Sequence, residues 1–78
     1  MPPRPVLYVR EGCHLCEDAG VLLNDMLGIE GWDAVDIETD DALLVRYAHR
    51  IPVLVVDGEE RAELIITRMD VEDALARR

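Results

Sequence analysis

The sequence predicts one α/β domain with the element order βαβαββα and a four-stranded mixed sheet flanked by helices. The length of 78 residues allows one thin hydrophobic core and no second domain, so we expect residues 1–78 to form one unit. Half of the residues are hydrophobic but none is Phe, so aliphatic side chains must fill the interior, as in small α/β sheets. Short apolar runs also alternate along the chain with runs of helical periodicity.

The first half of the chain predicts a strand, a helix and a second strand. Residues 5–10 contain a short apolar run typical of a strand, and Glu11 and Gly12 turn the chain. The helix that follows ends near Gly28, because glycine commonly comes just after the last helical residue. Residues 32–37 alternate apolar and acidic side chains, as a strand near a sheet edge does. The helix has one apolar stripe, made of Leu15, Cys16, Ala19, Leu22, Leu23, Met26 and Leu27.

The middle of the chain predicts a second helix and a third strand. Asp40 has a side chain suited to a helix cap, and the helix ends near Arg50 because the next residue precedes a proline and favours extended backbone. Residues 53–56 are all apolar, which is typical of a buried strand. Tyr47 continues the apolar face of the helix and Trp32 opens the second strand, so both are interpreted as packing residues rather than docking aromatics.

The last part of the chain predicts a hairpin and a final helix. Asp57 and Gly58 are a strong signal for a two-residue turn, after which residues 61–66 return as the antiparallel partner of the third strand. Asp70 is expected to cap the final helix, whose apolar residues recur at helical spacing.

The charge of the chain disfavours several classes of partner. Seventeen acidic and eight basic residues give a formal net charge of −9, which opposes binding to a nucleic-acid backbone or to an anionic membrane surface. Only four apolar residues run directly up to Arg10, too few for a signal peptide or a membrane span. We therefore expect a cytoplasmic monomer that binds neither nucleic acid nor membrane.

Cys13 and Cys16 are the only cysteines, and they lie where the first helix begins. Residues three apart on a helix share a face at about 5–6 Å, within the Cα separation that a disulfide tolerates. In a reducing compartment such a pair is more often catalytic or metal-binding than a structural crosslink. A closed zinc site needs about four ligands, and neither His14 nor His49 is well placed to complete one, so no metal is expected.

The cysteine pair, together with Ile51-Pro52 at the start of the third strand, resembles the active surface of a thioredoxin-like fold in its smallest form. Residues 8–17 and 50–58 are similar to a family of small bacterial glutaredoxin-like proteins. The resemblance implies that the bond between Ile51 and Pro52 is cis and that Pro52 faces the cysteine pair. It also implies that the backbone at Ile51 docks an extended segment of the substrate.

The two cysteines are predicted to have different roles. Cys13 is expected at the amino end of the helix, where free N–H groups and the helix dipole lower a cysteine pKa from about 8.5 to about 3.5–7.5, so it is the predicted nucleophile. Cys16 lies one turn further on the apolar stripe and would resolve the mixed disulfide, unless it is only a small buried apolar residue. His14 is expected to support the thiolate if it is protonated; the alternative is a solvated histidine.

Glutathione contacts are implied by the resemblance at two further positions. Arg10 matches a basic residue that glutaredoxins often place near the glutathione carboxylate, although it would equally suit an ion pair with Asp36 or Asp57. Residues 67–70 depart from the family, because many glutaredoxins have paired glycines there and side chains would crowd the ligand. Arg68 and the free N–H groups of a helix start are still expected to hold a carboxylate.

The predicted function is that of a thiol–disulfide oxidoreductase acting through the Cys13/Cys16 couple on a disulfide-containing protein or small molecule. No bound cofactor is expected. The chain has no nucleotide-binding glycine motif, so electrons must come from glutathione or from a separate reductase. The alternative is a thioredoxin-fold module that binds a peptide or protein and retains only vestigial redox activity.

Overall fold

The computed structural model describes residues 4–78, and its elements follow the predicted order. Over these residues the α/β fold, with a four-stranded mixed sheet and three α-helices, is confirmed. Residues 1–3 of the expected domain lie outside the described residues. The elements are β1 (Val6–Val9), α1 (His14–Leu27), β2 (Asp33–Asp36), a 3-10 turn (Ile37–Thr39), α2 (Asp41–Tyr47), β3 (Val53–Val56), β4 (Glu59–Glu63) and α3 (Arg68–Ala76).

The sheet has the strand order β2-β1-β3-β4. Strands β1 and β2 are parallel, whereas β3 is antiparallel to both β1 and β4. Tyr8 near the end of β1 pairs with Val53 at the start of β3, and Val53 pairs with Glu63 at the end of β4. The segments that follow β1, precede β3 and follow β4 therefore meet at one end of the sheet, which we call the cysteine end.

The larger core cluster lies between the sheet and helices α1 and α3. Successive residues of a strand point to opposite faces, so alternation along β1 and β3 decides which side chains join it. Leu7 and Leu54 are fully buried there, and burial of one such side chain contributes about 1.5–3 kcal/mol. The buried members are Leu7, Ala19, Leu23, Leu54, Val56, Val71 and Ala74.

A smaller cluster covers the opposite face of the sheet, beneath α2. Its buried members are Ile37, Tyr47 and Val53, and Tyr8 packs against them. The rings of Tyr8 and Tyr47 stack with their centroids 4.7 Å apart. Tyr47 is thus a packing residue, as its position on the helical face predicts.

Strand β4 begins earlier than the sequence indicates. The sequence predicts that residues 61–66 pair with β3, but the strand covers Glu59–Glu63. The cause is the tightness of the turn: Asp57 and Gly58 both have positive φ, at 53° and 81°, so Glu59 already pairs with Val56. The strand stops before Leu64, whose φ is 65°.

The cap of α3 also differs from the expectation. Thr67, not Asp70, is the capping residue: its hydroxyl accepts a hydrogen bond from the Asp70 amide at 3.2 Å. The Asp70 carboxylate accepts one in return from the Thr67 amide at 2.9 Å. Asp70 therefore closes a capping box from the third helical position, because the helix begins three residues sooner than the apolar pattern indicates.

Helix α2 begins where the sequence predicts. The Asp40 carboxylate caps it by accepting a hydrogen bond from the Ala42 amide at 2.8 Å. The helix ends at Tyr47, a few residues before the expected Arg50, and a turn leads to Ile51. Within residues 4–78, none of the helices has the length and apolar character needed to cross a membrane.

Candidate functional site

The two cysteines lie at the cysteine end of the sheet, where β1 gives way to α1. Gly12 has a φ of 79°, a conformation that glycine adopts without strain, and it turns the chain from the strand into the helix. Cys13 is the N-cap of α1, and its carbonyl oxygen accepts the first helical hydrogen bond from the Glu17 amide at 3.1 Å. The position of Cys13 is therefore set by the local sequence, in which a turn, a cap and a helix follow one another directly.

The pair forms a disulfide, with the two Cα atoms 5.2 Å apart. The Cys13 sulfur also accepts a hydrogen bond from the Cys16 amide at 3.2 Å, so it occupies the position of a capping oxygen. A donor N–H at a helix start favours negative charge on the acceptor, which would be the thiolate after reduction. Cys13 is half-buried, whereas Cys16 is only 5% exposed. The cysteine that the helix start favours as an anion is therefore also the more accessible one.

Ile51 and Pro52 lie at the same end of the sheet. The peptide bond between them is cis, and Pro52 is fully buried. The Pro52 carbonyl accepts a hydrogen bond from the Leu64 amide at 2.9 Å, which continues the pairing of β3 with β4 by one step. Ile51 is half-buried and packs against the smaller core cluster.

The charged residues implicated by the sequence are engaged with other partners. Arg10 forms an ion pair with Glu38 at 3.4 Å, rather than with Asp36 or Asp57. Arg68 forms one with Asp25 at 2.6 Å, twelve residues beyond Cys13 on α1 and so about 18 Å along the helix axis.

The first residue of α1, His14, is exposed. His14 therefore lies between the two cysteines in sequence, whereas Arg68 pairs near the opposite end of the same helix. Its role in supporting the thiolate, like the roles of Arg10 and Arg68 in holding a ligand, stays a prediction.

A groove of about 540 Å³ opens beside Cys16, between the start of α1 and strands β1 and β2. The sequence does not predict this groove, because its walls come from three elements that are separated along the chain. Its lining residues are Leu7, Val9, Arg10, Glu11, Gly12, Cys16, Glu17, Trp32, Ala34 and Asp36.

Trp32 is the aromatic wall of this groove. The ring packs against the larger core cluster, as predicted, and its indole N–H donates a hydrogen bond to the Asn24 side chain at 2.8 Å. Gly20 of α1 faces the ring, and a Cβ atom there would meet the nearest ring carbon at 3.6 Å, an ordinary van der Waals distance. Gly20 and Asn24 are four residues apart and so share one face of α1. A small residue and an amide on one face are the sequence signal for a ring packed there.

An ion-pair network lies on the face of the sheet that α2 covers. It connects the turn after α2, just before Ile51, to β4. The Arg50 guanidinium donates to Glu60 and, at 3.1 Å, to Glu63. These hydrogen bonds lower the pKa of Glu60 and raise the pKa of Arg50. Burial raises the pKa of Tyr47, whose ring centroid lies 5.5 Å from the Arg50 guanidinium carbon. The network therefore anchors the segment that leads to Pro52.

Comparison with known proteins agrees with this architecture. The model of the Glutaredoxin-like domain (DUF836) family matches residues 5–77. The X-ray structure of the structural-genomics target XcR50 from X. campestris is 29% identical, with a TM-score of 0.78, over 95% of this chain and 97% of that one. The solution structure of Ne2328 from Nitrosomonas europaea is 28% identical, with a TM-score of 0.70, over 94% of this chain and 91% of that one.

A more distant structure supports the fold alone. Oxidized glutaredoxin 2 from Chlamydomonas reinhardtii is 20% identical, with a TM-score of 0.59, over 95% of this chain and 72% of that one. No curated protein has a sequence that matches this one significantly. The family match covers nearly the whole chain and includes the cysteine pair, and the neighbours share its sheet and helices. The chain therefore belongs to the glutaredoxin-like domain family and has a thioredoxin-like fold.

Proposed function

We propose that the protein is a thiol–disulfide oxidoreductase in which Cys13 is the nucleophile and Cys16 the resolving cysteine. The observation that carries this proposal is the position of the Cys13 sulfur at the N-cap of α1, where it accepts the Cys16 N–H and lies within bonding reach of the second sulfur. Only a thiolate attacks a disulfide efficiently, and a helix start favours the thiolate.

The reaction consists of two exchanges. The Cys13 thiolate attacks one sulfur of the substrate disulfide, forms a mixed disulfide and releases the first substrate thiolate. Cys16 then loses its proton and attacks the Cys13 sulfur, which closes the internal disulfide and releases the second thiolate. The substrate gains two electrons and the cysteine pair loses two; the released thiolates take up protons from solvent.

The difference in accessibility supports this division of roles. An incoming disulfide can reach half-buried Cys13, whereas Cys16, at 5% exposure, is reached most easily by a sulfur that is already attached to its neighbour. We assign the Ile51 backbone to substrate docking and buried Pro52 to shaping the surface on which the substrate docks, because they lie at the same end of the sheet. His14, exposed at the helix start, would support the Cys13 thiolate when protonated.

The reductant in this proposal is glutathione or a separate reductase, and the setting is the cytoplasm. A glutathione carboxylate held by Arg10 or Arg68 would compete with Glu38 or Asp25, which already pair with them. Both ion pairs are exposed and so contribute little, which leaves either guanidinium open to exchange partners.

Trapping of the mixed disulfide tests the proposal. Reduced Cys16→Ser protein, mixed with bis(2-hydroxyethyl) disulfide, is expected to accumulate a covalent adduct on Cys13, because no second thiol can release it. The matched control is Cys13→Ser, which keeps the less accessible sulfur and should form adduct far more slowly. Intact-protein mass spectrometry measures both. Absence of the Cys13 adduct would refute the proposed oxidoreductase activity and would favour the alternative, a peptide-binding module.

A further inference from the structure

We propose that the groove beside Cys16 receives a lysine or arginine side chain next to the substrate's disulfide, so that the preferred substrates are basic protein segments. This inference rests on the proposed function and specifies its substrate class. Cys16 itself lines the groove. When the disulfide of a substrate reaches the cysteine pair, a side chain close to that disulfide can therefore enter the groove.

The interior of the groove suits the aliphatic stem of a basic side chain. Val9, Ala34 and the Trp32 ring form its apolar surface, with the buried side chain of Leu7 behind them. Lysine and arginine bury their methylene groups on such surfaces while the charged end stays near water. The volume of about 540 Å³ also lies within the usual size of ligand sites. The groove is therefore large enough for one long side chain and part of the adjoining backbone.

Trp32 adds a second reason to expect a cation. A guanidinium or ammonium group over an indole face is attracted by the ring quadrupole, and tryptophan is the strongest aromatic partner for this contact. The hydrogen bond from the indole to Asn24 and the packing of the ring against the larger core cluster hold it in place. A ring that is already ordered loses little freedom when a ligand binds.

The charges on the rim of the groove determine which sign of charge a bound side chain should carry. Three carboxylates line it, from Glu11, Glu17 and Asp36, against one guanidinium, from Arg10. Arg10 is itself paired with Glu38, so the rim as a whole is negative. An acidic flanking residue would meet repulsion there, whereas a basic one would be attracted at a distance and held on arrival.

Exchange rates with three matched peptides test the inference. Acetylated and amidated Lys-Cys-Lys, Ser-Cys-Ser and Glu-Cys-Glu are each used as the symmetrical disulfide to oxidise the reduced protein. Each rate constant is divided by that for oxidation of dithiothreitol by the same peptide, which removes differences in intrinsic reactivity. At low ionic strength the basic peptide should be preferred to the acidic one by about tenfold or more, and salt should reduce this preference.

A pair of charge-matched variants separates the groove from the net charge. Asp36→Asn removes one rim charge, while its side-chain oxygen can still accept the Glu38 amide that Asp36 now binds at 2.9 Å. The preference for the basic peptide over the neutral Ser-Cys-Ser peptide should fall by about threefold, the Coulomb effect of one charge at about 6 Å in water. Asp57→Asn makes the same charge change in the hairpin at the other end of the sheet and should have a much smaller effect. An equal fall in both variants would overturn the assignment to the groove.

Trp32 provides a readout that needs no redox chemistry. It is the only tryptophan, so the fluorescence of the oxidised protein reports on the groove wall. Titration with acetylated, amidated Lys-Ser-Lys should give a saturable change that Glu-Ser-Glu does not give and that weakens in Asp36→Asn. Identical responses to both peptides would overturn the inference.

The outcomes distinguish this inference from the proposed function. Equal normalised rates with all three disulfides would leave the oxidoreductase intact and overturn the basic-substrate preference. Failure of all three to oxidise the protein would overturn both.

Discussion

Two glycines near Trp32 should respond in opposite ways to the same substitution. At Gly20, inside α1, a Cβ atom would meet the Trp32 ring at 3.6 Å, an ordinary van der Waals contact. Glycine costs a helix interior about 0.8–1.0 kcal/mol relative to alanine, so Gly20→Ala should stabilise the protein by up to about 1 kcal/mol. In a domain of this size that is about 4–8 °C in Tm.

At Gly31 the same added methyl group has no space. A Cβ atom there would overlap the carbonyl oxygen of Leu27, and a backbone atom cannot move aside without shifting the end of α1. Overpacking of this kind costs about 1–3 kcal/mol, so Gly31→Ala should lower Tm. The loop between α1 and β2 would carry the distortion, because Gly31 also donates a hydrogen bond to the Gly28 carbonyl at 3.1 Å.

Denaturant and thermal unfolding of the oxidised proteins, followed by far-UV circular dichroism, measure both effects. Oxidised samples keep the disulfide constant, so the difference reports on the glycine positions alone. Trp32 fluorescence should stay close to that of the parent in Gly20→Ala, since the new methyl group only touches the ring edge. A loss of stability in Gly20→Ala, or no loss in Gly31→Ala, would contradict the close approaches described here.

Two further predictions concern helix α3 and the network around Arg50. Thr67→Ala removes the capping hydroxyl and should cost about 1 kcal/mol in urea unfolding, whereas Thr67→Ser should recover most of it; equal losses would argue against the capping box. Glu60→Gln should destabilise the protein at neutral pH. The folded pKa of Glu60 is lowered, so its contribution is present above the ordinary value of about 4.3 and is lost as pH falls through the folded pKa. The gap between parent and Glu60→Gln should therefore close on acidification, with Glu59→Gln as control; a constant gap would contradict the ion pair.

The cysteine pair shows how far local signals reach in this protein. Gly12 supplies the turn, Cys13 the cap and Cys16 the next turn of the helix, so the spacing in the chain already implies sulfurs in bonding reach. The hairpin was equally readable, because Asp57 and Gly58 tolerate the positive φ that a two-residue turn requires.

The predicted cap of α3 and the predicted bounds of β4 are wrong because the local sequence signals there are ambiguous or weak. Thr67 and Asp70 exchange hydrogen bonds in the capping box, so either side chain is a plausible cap until the start of the helix is known. Strand β4 has the sequence Glu-Glu-Arg-Ala-Glu, in which apolar alternation is almost absent, and its register follows from the turn and from pairing with β3.

By itself, the sequence determined the order of the elements, the hairpin and the placement of Cys13 at a helix start, because each depends on interactions within a few residues. Only the tertiary structure decided that Arg10 pairs with Glu38 and Arg68 with Asp25, since these partners are far apart in the chain. It alone created the groove beside Cys16, because Trp32 and Asp36 reach that surface only when β2 pairs with β1 and α1 packs over them.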